Sequence, residues 1–219
     1  MLKIWGRRTS TNVQKVLWLV GELGLPHERV DAGGRYGVVG TDAYAKMNPN
    51  RRVPTVEDDG LVMWESNSII RYIGAKYAAC THFGPTDPGA RAQYERWMDW
   101  GLGTLNPPFS GLFTNYYRTK APERDMAAVK TMFARTVQCL GVLEAHMAGR
   151  TFIGGDNISL GDISVGVLLY RMFTVDLGPE MTFPALPNIQ AWYKRLQERP
   201  AYRQHVMVPY DELFEDGIK

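Results

Sequence analysis

Every strand-like run in this chain ends by Trp64, and beyond Tyr77 apolar residues recur only at helical spacing. A sheet confined to the first third must be small and must cover itself with nearby helices, so the fold class is α/β followed by an all-α unit. Leu2-Lys3-Ile4-Trp5 reads as a strand, and Val13, Val16, Leu17, Val20 and Leu23 mark one helix face before Gly24-Leu25-Pro26 stops it. His27 to Asp31 reads as a second strand, joined to the first by a right-handed βα crossover. Ala32 to Gly40 is a glycine-rich loop with neither phosphate-binding glycine motif, and Asp42 to Met47 reads as a short helix. Val53 to Glu57 and Leu61 to Trp64 form a hairpin around Asp58-Asp59-Gly60, and a helix runs from there to Tyr77.

With 219 residues, 45% of them hydrophobic, the chain can bury two modest cores. The expected division is residues 1–80, a linker over 81–89 containing two prolines and two glycines, and a helical unit over 90–219. A net charge of +2 without a dense basic block argues against a nucleic-acid surface. The start shows no signal-peptide core and no run approaches a membrane span, so a cytoplasmic location is expected. Cys80 and Cys139 form no CxxC, and the four histidines are scattered, so neither a dithiol site nor a metal is expected.

In the helical part, Arg91 to Gly103 reads as a helix interrupted at Pro107-Pro108 and resuming through Tyr117. Val129 to Met147 carries the clearest amphipathic stripe. Ser159-Leu160-Gly161-Asp162 has the form of a capping box, which makes Asp162 structural, and Ile163 to Phe173 reads as one buried helix. Helices over Asn188 to Gln197 and Ala201 to Val206 complete the unit.

Glu65-Ser66-Asn67 sits where the helix ending at Tyr77 begins. A helix N-terminus offers free N–H groups and partial positive charge to a carboxylate, the Ser66 hydroxyl adds a donor, and Glu65 can receive an ammonium. Those groups suit the two charged ends of an amino acid. Pro54 at a strand start, if its peptide bond is cis, turns the Val53 N–H and C=O outward toward an extended peptide.

Three segments in order, Asn48 to Pro54, Glu65 to Ile69 and Gly155 to Asp162, resemble the soluble glutathione transferase superfamily over essentially the whole chain. The resemblance implies a thioredoxin-like N-terminal domain with Pro54 in cis, an all-α C-terminal domain, glutathione as co-substrate and a homodimer. It implies that Glu65 and Ser66 hold the γ-glutamyl end, that Val53 pairs with the cysteinyl backbone, and that Arg52 meets the glycyl carboxylate. Asp99 would reach the γ-glutamyl ammonium of a neighbouring subunit. An electrophile pocket between the domains would draw on Arg8, Phe109, Phe113, Tyr116, Tyr117 and the carboxy-terminal tail.

The catalytic group in this superfamily favours thiolate over thiol. Ser10 matches the hydroxyl of theta-like, serine-using classes, and Asn12 matches an asparagine in bacterial and fungal relatives with an Asn-x-x-Lys helix start; either could donate to sulfur or merely cap the helix. A free thiol is only a few per cent ionised at neutral pH. Lowering its pKa by about two units takes ~2.7 kcal/mol, which one hydrogen bond to a charged group supplies at about 1.5–3 kcal/mol. Ser10 replaces the cysteine of the beta and omega types, which disfavours thiol transfer, and no tyrosine follows the first strand. The leading activity is conjugation of glutathione to small electrophiles. Alternatives are a glutathione-dependent isomerase, dehalogenase or peroxidase, and a non-catalytic binding module of the same fold.

Overall fold

The computed structural model describes residues 1–215. Four strands, β1 (Leu2–Trp5), β2 (His27–Val30), β3 (Thr55–Asp58) and β4 (Leu61–Trp64), form one mixed sheet in the order β2-β1-β3-β4. β1 runs parallel to β2 and antiparallel to β3, and β3 pairs antiparallel with β4. The parallel pair is bridged by α1 (Thr11–Glu22), as a parallel pair requires. The hairpin turns on Asp59 and Gly60, at φ 49 and 84, the two left-handed residues of a tight turn that matches strand twist. α2 (Asp42–Met47) and α3 (Ser66–Tyr77) complete this unit.

One carboxylate fixes α3 against the hairpin. Asp58 is 1% exposed and accepts from Tyr72 at 2.9 Å, Tyr77 at 2.8 Å and Lys76 at 2.7 Å. Burial alone would raise its pKa, but bonds from Lys76, Tyr77 and Tyr72 together hold it below the usual carboxylate range.

The helical unit comprises α4 (Pro88–Trp100), α5 (Asn106–Leu112), α6 (Met126–Met147), α7 (Leu160–Gly166), α8 (Leu169–Thr174), α9 (Pro187–Gln197), α10 (Pro200–His205) and α11 (Glu212–Glu215). Asp87 caps α4 through Ala90 N–H, so the helix starts at Pro88, inside the segment read as linker. The break expected at Pro107-Pro108 is absent. Two π-helical turns, Gly101–Leu105 and Phe113–Tyr117, flank α5 and carry the helical path from Pro88 to Tyr117. The prolines occupy the first turn of α5, where a missing N–H costs least. The single helix expected over Ile163 to Phe173 is instead two, α7 and α8, with Val167 and Leu168 between them.

α1 is the keel between the two units. Val13 through Val20 are all buried, including Gln14 and Lys15, because α1 packs against α3, α7 and α10 as well as the sheet. Asp162 accepts from Ile153 N–H, Ser159 N–H and Oγ, and Trp192 Nε1, all at 2.8–3.0 Å, which confirms the capping box and its structural role. No described helix is long and apolar enough to cross a membrane.

Candidate functional site

The loop leaving β1 turns straight into α1, and Ser10 stands at its N-cap with extended backbone (φ −78, ψ 119). Its side chain makes no capping bond, so the hydroxyl is not consumed by the helix it precedes. Asn12 lies two residues further along, in the first turn of α1. The Ser66 hydroxyl donates to Asn12 Oδ1 at 3.2 Å, which brings the start of α3 against the start of α1.

Ahead of β3, the Val53-Pro54 bond is cis. Among the described residues, neither the N–H nor the C=O of Val53 enters a hydrogen bond. The Arg52 carbonyl is tied down by Tyr44 and Asn48, each at 2.8 Å, while among the described residues its guanidinium has no hydrogen-bond or ion-pair partner. Arg51, by contrast, is held by the Gly40 carbonyl and by Asp42 at 3.2 Å.

Ser66 is 5% exposed and Glu65, at φ 69, is exposed with no capping bond. Helical pairing in α3 begins with Ile69 N–H to Glu65 C=O, leaving the N–H groups of Ser66, Asn67 and Ser68 without a helical partner. Asn67 is the structural member of this tripeptide. Its Oδ1 accepts from Lys15 at 3.3 Å and Ser164 at 3.0 Å, and its Nδ2 donates to Met98 C=O at 3.0 Å, tying α3 to α1, α7 and α4. Burial, countered in part by the Glu65 charge, lowers the Lys15 pKa to about 8.

Ser10, Asn12, Arg52 and Val53 line one cavity of about 360 Å³, together with Arg7, Gly33, Gly34 and, from the helical unit, Ser110, Phe113, Thr114, Arg118, Arg171 and Leu213. Sequence reasoning missed much of this second wall. Of the four aromatic residues expected there, Phe113 alone lines the cavity. Phe109 is 2% exposed in the core, Tyr117 stacks on Phe113 with centroids 4.7 Å apart, and Tyr116 faces a separate cleft beside Gly178 and Met181. The apolar stripe of this helix was claimed by the core, and the polar stripe of Ser110, Thr114 and Arg118 was left for the cavity.

Arg8 also lies elsewhere, in a second cleft with Asp31, Tyr36 and Asp211, where it donates to the Gln204 carbonyl at 3.4 Å. Arg7 takes the cavity position instead, because successive residues leaving an extended strand point to opposite sides. The Gly33-Gly34 turn wraps it closely; a Cβ on Gly34 would sit 3.2 Å from Arg7 Nη1. Asp99 is bonded to Arg71 at 2.7 Å, the intrachain ion pair that competes with any role toward glutathione.

Arg171 was foreshadowed by one signal, a lone arginine inside the apolar run from Ile163 to Phe173. Its Nη2 donates to Thr9 C=O at 2.7 Å, and its guanidinium lies over the rings of Phe113 at 4.7 Å and Tyr210 at 5.3 Å.

A mixed sheet of this order with an uncapped serine after β1, a cis proline before β3 and a helical wall across the cavity defines a glutathione-transferase architecture. Residues 5–85 match the family model of the glutathione S-transferase N-terminal domain, and residues 124–195 that of the C-terminal domain. The chain is 39% identical over 211 residues to glutathione S-transferase GstB of Escherichia coli K12, covering 95% of this chain and 99% of that one. It is 30% identical over 210 residues to glutathione S-transferase 3 of Zea mays, covering 94% and 93%. The crystal structure of a theta class glutathione S-transferase from Xanthomonas axonopodis pv. citri with glutathione bound is similar at TM-score 0.88 and 39% identity, covering 95% of this chain and 98% of that one. The chain belongs to the glutathione S-transferase family. The family and fold class expected from the sequence stand with these matches.

Proposed function

We propose that this protein binds glutathione along the side of the cavity formed by the loops after β1 and before β3, reaching beyond it to the start of α3, and promotes attack of its thiolate on small electrophiles. The observation that carries this is a set of uncommitted groups: the Ser10 hydroxyl, the Val53 main chain and the Arg52 guanidinium around one cavity, and, outside its lining but joined to it by the Ser66–Asn12 hydrogen bond, the first N–H groups of α3. Arg52 meets the glycyl carboxylate and Val53 pairs with the cysteinyl backbone on the chain path fixed by Pro54. Ser66 and the α3 N-terminus take the γ-glutamyl carboxylate, and Glu65 faces its ammonium. Ser10 donates to the sulfur anion, with Asn12 the second donor. Residues 1–80 carry these groups, the segment ending at Asp87 connects, and the helical unit that begins at Pro88 supplies the electrophile's wall. Asp99 drops out within one chain, because Arg71 holds its carboxylate.

A homodimer fits the exposure of Leu61, Val62, Trp64, Tyr77 and Leu102 in the isolated chain, an apolar set that a second copy would cover. A cytoplasmic location completes the proposal. Calorimetry of glutathione with the wild type and Ser66→Ala tests binding. Absence of a glutathione-dependent heat at millimolar ligand sinks the proposal, and sedimentation showing a monomer at micromolar protein sinks the dimer.

A further inference from the structure

Building on the glutathione-transfer reading above, we propose that the second substrate is an electrophile bearing a carboxylate, and that Arg171 is the group that binds it. Arg171 comes from α8, in the helical wall, and its side chain reaches the cavity through an otherwise apolar run. Nε is buried without a hydrogen-bond partner, and no carboxylate among the described residues lies within salt-bridge distance of the guanidinium. A guanidinium has five donors, and among the described residues only the Thr9 carbonyl accepts from it. A partly buried guanidinium with a carbonyl and two aromatic faces but no carboxylate against it among the described residues carries a desolvation cost that an anionic ligand in the cavity would offset.

The surroundings point the same way. Arg7 and Arg118 line the same cavity; burial, with their positive charges, brings the Arg171 pKa down to about 10, so it remains charged at neutral pH. Both carboxylates of glutathione are already accounted for, at Arg52 and at the start of α3. Thr9, which takes the Arg171 bond, is the neighbour of Ser10, so this charge stands beside the thiolate donor. A planar fork binds a carboxylate bidentately and fixes its orientation. Ser110 and Thr114 add polar surface, and Phe113 supplies one apolar face for the electrophile's body. In the reaction, sulfur bonds to the electrophilic carbon as the bond to its leaving group breaks. The leaving group departs with that electron pair, and the thiol proton has already passed to solvent.

The alternative is that Arg171 only staples α8 to the β1 loop. A matched pair of electrophiles separates the two: 4-chloro-3-nitrobenzoate and 4-chloro-3-nitrobenzamide, which differ in charge and not in the carbon attacked. The wild type is expected to show the higher kcat/KM with the acid, through KM. In Arg171→Gln the acid-to-amide ratio is expected to fall about 50-fold, and Arg171→Lys to recover part of it. A ratio that does not change, or a wild type that prefers the amide, overturns the proposal; a staple would lower both substrates together. Calorimetry with 3-nitrobenzoate, which cannot react, reads the anion site without turnover. Binding that depends on Arg171 in the absence of any glutathione heat supports the anion site and removes the transferase reading. Glutathione turnover of the amide with no nitrobenzoate binding does the reverse.

Discussion

The hydroxyl of Ser66 donates to Oδ1 of Asn12 at 3.2 Å, joining the first turns of two helices that sit 54 residues apart in sequence. The bond occupies the amide oxygen of Asn12 and leaves its NH₂ as the group available for donation. The proposed γ-glutamyl site and the proposed sulfur site therefore share a hydrogen bond. Ser66→Ala is expected to weaken glutathione binding about 10-fold, and the cycle with Asn12→Ala to be non-additive by about 0.5–1.5 kcal/mol. Calorimetric Kd values for the two single variants and the double variant check this. Strict additivity would show that the two residues act separately.

Ser10 offers a separable test of capping against donation. Because its side chain makes no capping bond, Ser10→Ala is expected to change unfolding free energy by less than about 0.5 kcal/mol. The same change is expected to raise the pKa of bound glutathione's thiol by one to two units, about 1.4–2.7 kcal/mol of lost anion stabilisation. Thiolate absorbance against pH measures the shift, and chemical denaturation measures stability. A thiol pKa unmoved in both Ser10→Ala and Asn12→Ala removes this activation mechanism.

What the sequence disclosed followed from short-range pattern. Alternating and helical periods located β1, α1, α2, β4 and α3, because each is dictated within a few residues, whereas the cis bond before Pro54 was implied by the family resemblance and not by the Val-Pro step itself. The wall of the cavity was not legible for the opposite reason. Phe109, Tyr116 and Tyr117 satisfy an aromatic pocket by composition, yet which stripe of their helix meets the cavity depends on how two π turns rotate it against α6 and α8. Arg7 and Arg8 are indistinguishable as letters, and only the exit angle of β1 sends Arg7 inward. Asp58 reads as a turn residue, and its three partners return from α3, 14 to 19 positions later.

Asp58 sets the height of α3 and, through it, the position of Ser66. Asp58→Ala would strand two tyrosine hydroxyls and remove the buried partner of Lys76. The expected loss is about 3 kcal/mol of unfolding free energy. Denaturant midpoints check it. A loss below about 1 kcal/mol would mean that water and Asp59, which also contacts Lys76 at 2.8 Å, replace the carboxylate.

Acid sensitivity should report on His205, at the end of α10 where its ring packs against Gly21 of α1. Burial, with the neighbouring His27 and Arg8, lowers its pKa from 6.5 to about 4. Between those values the unfolded chain binds a proton at this ring that the folded chain does not. Stability is therefore lost as pH falls through that window and levels off below about 4, the loss reaching up to ~3 kcal/mol. Asp162 opposes this over part of the range, since burial raises its pKa to about 6 and its protonation favours the fold as pH drops. The decisive quantity is the difference between the wild type and His205→Asn. It should be nearly constant from pH 7 to 8 and shift in favour of the variant by roughly 2–3 kcal/mol by pH 4.5. A difference independent of pH would show that the ring titrates alike in both states.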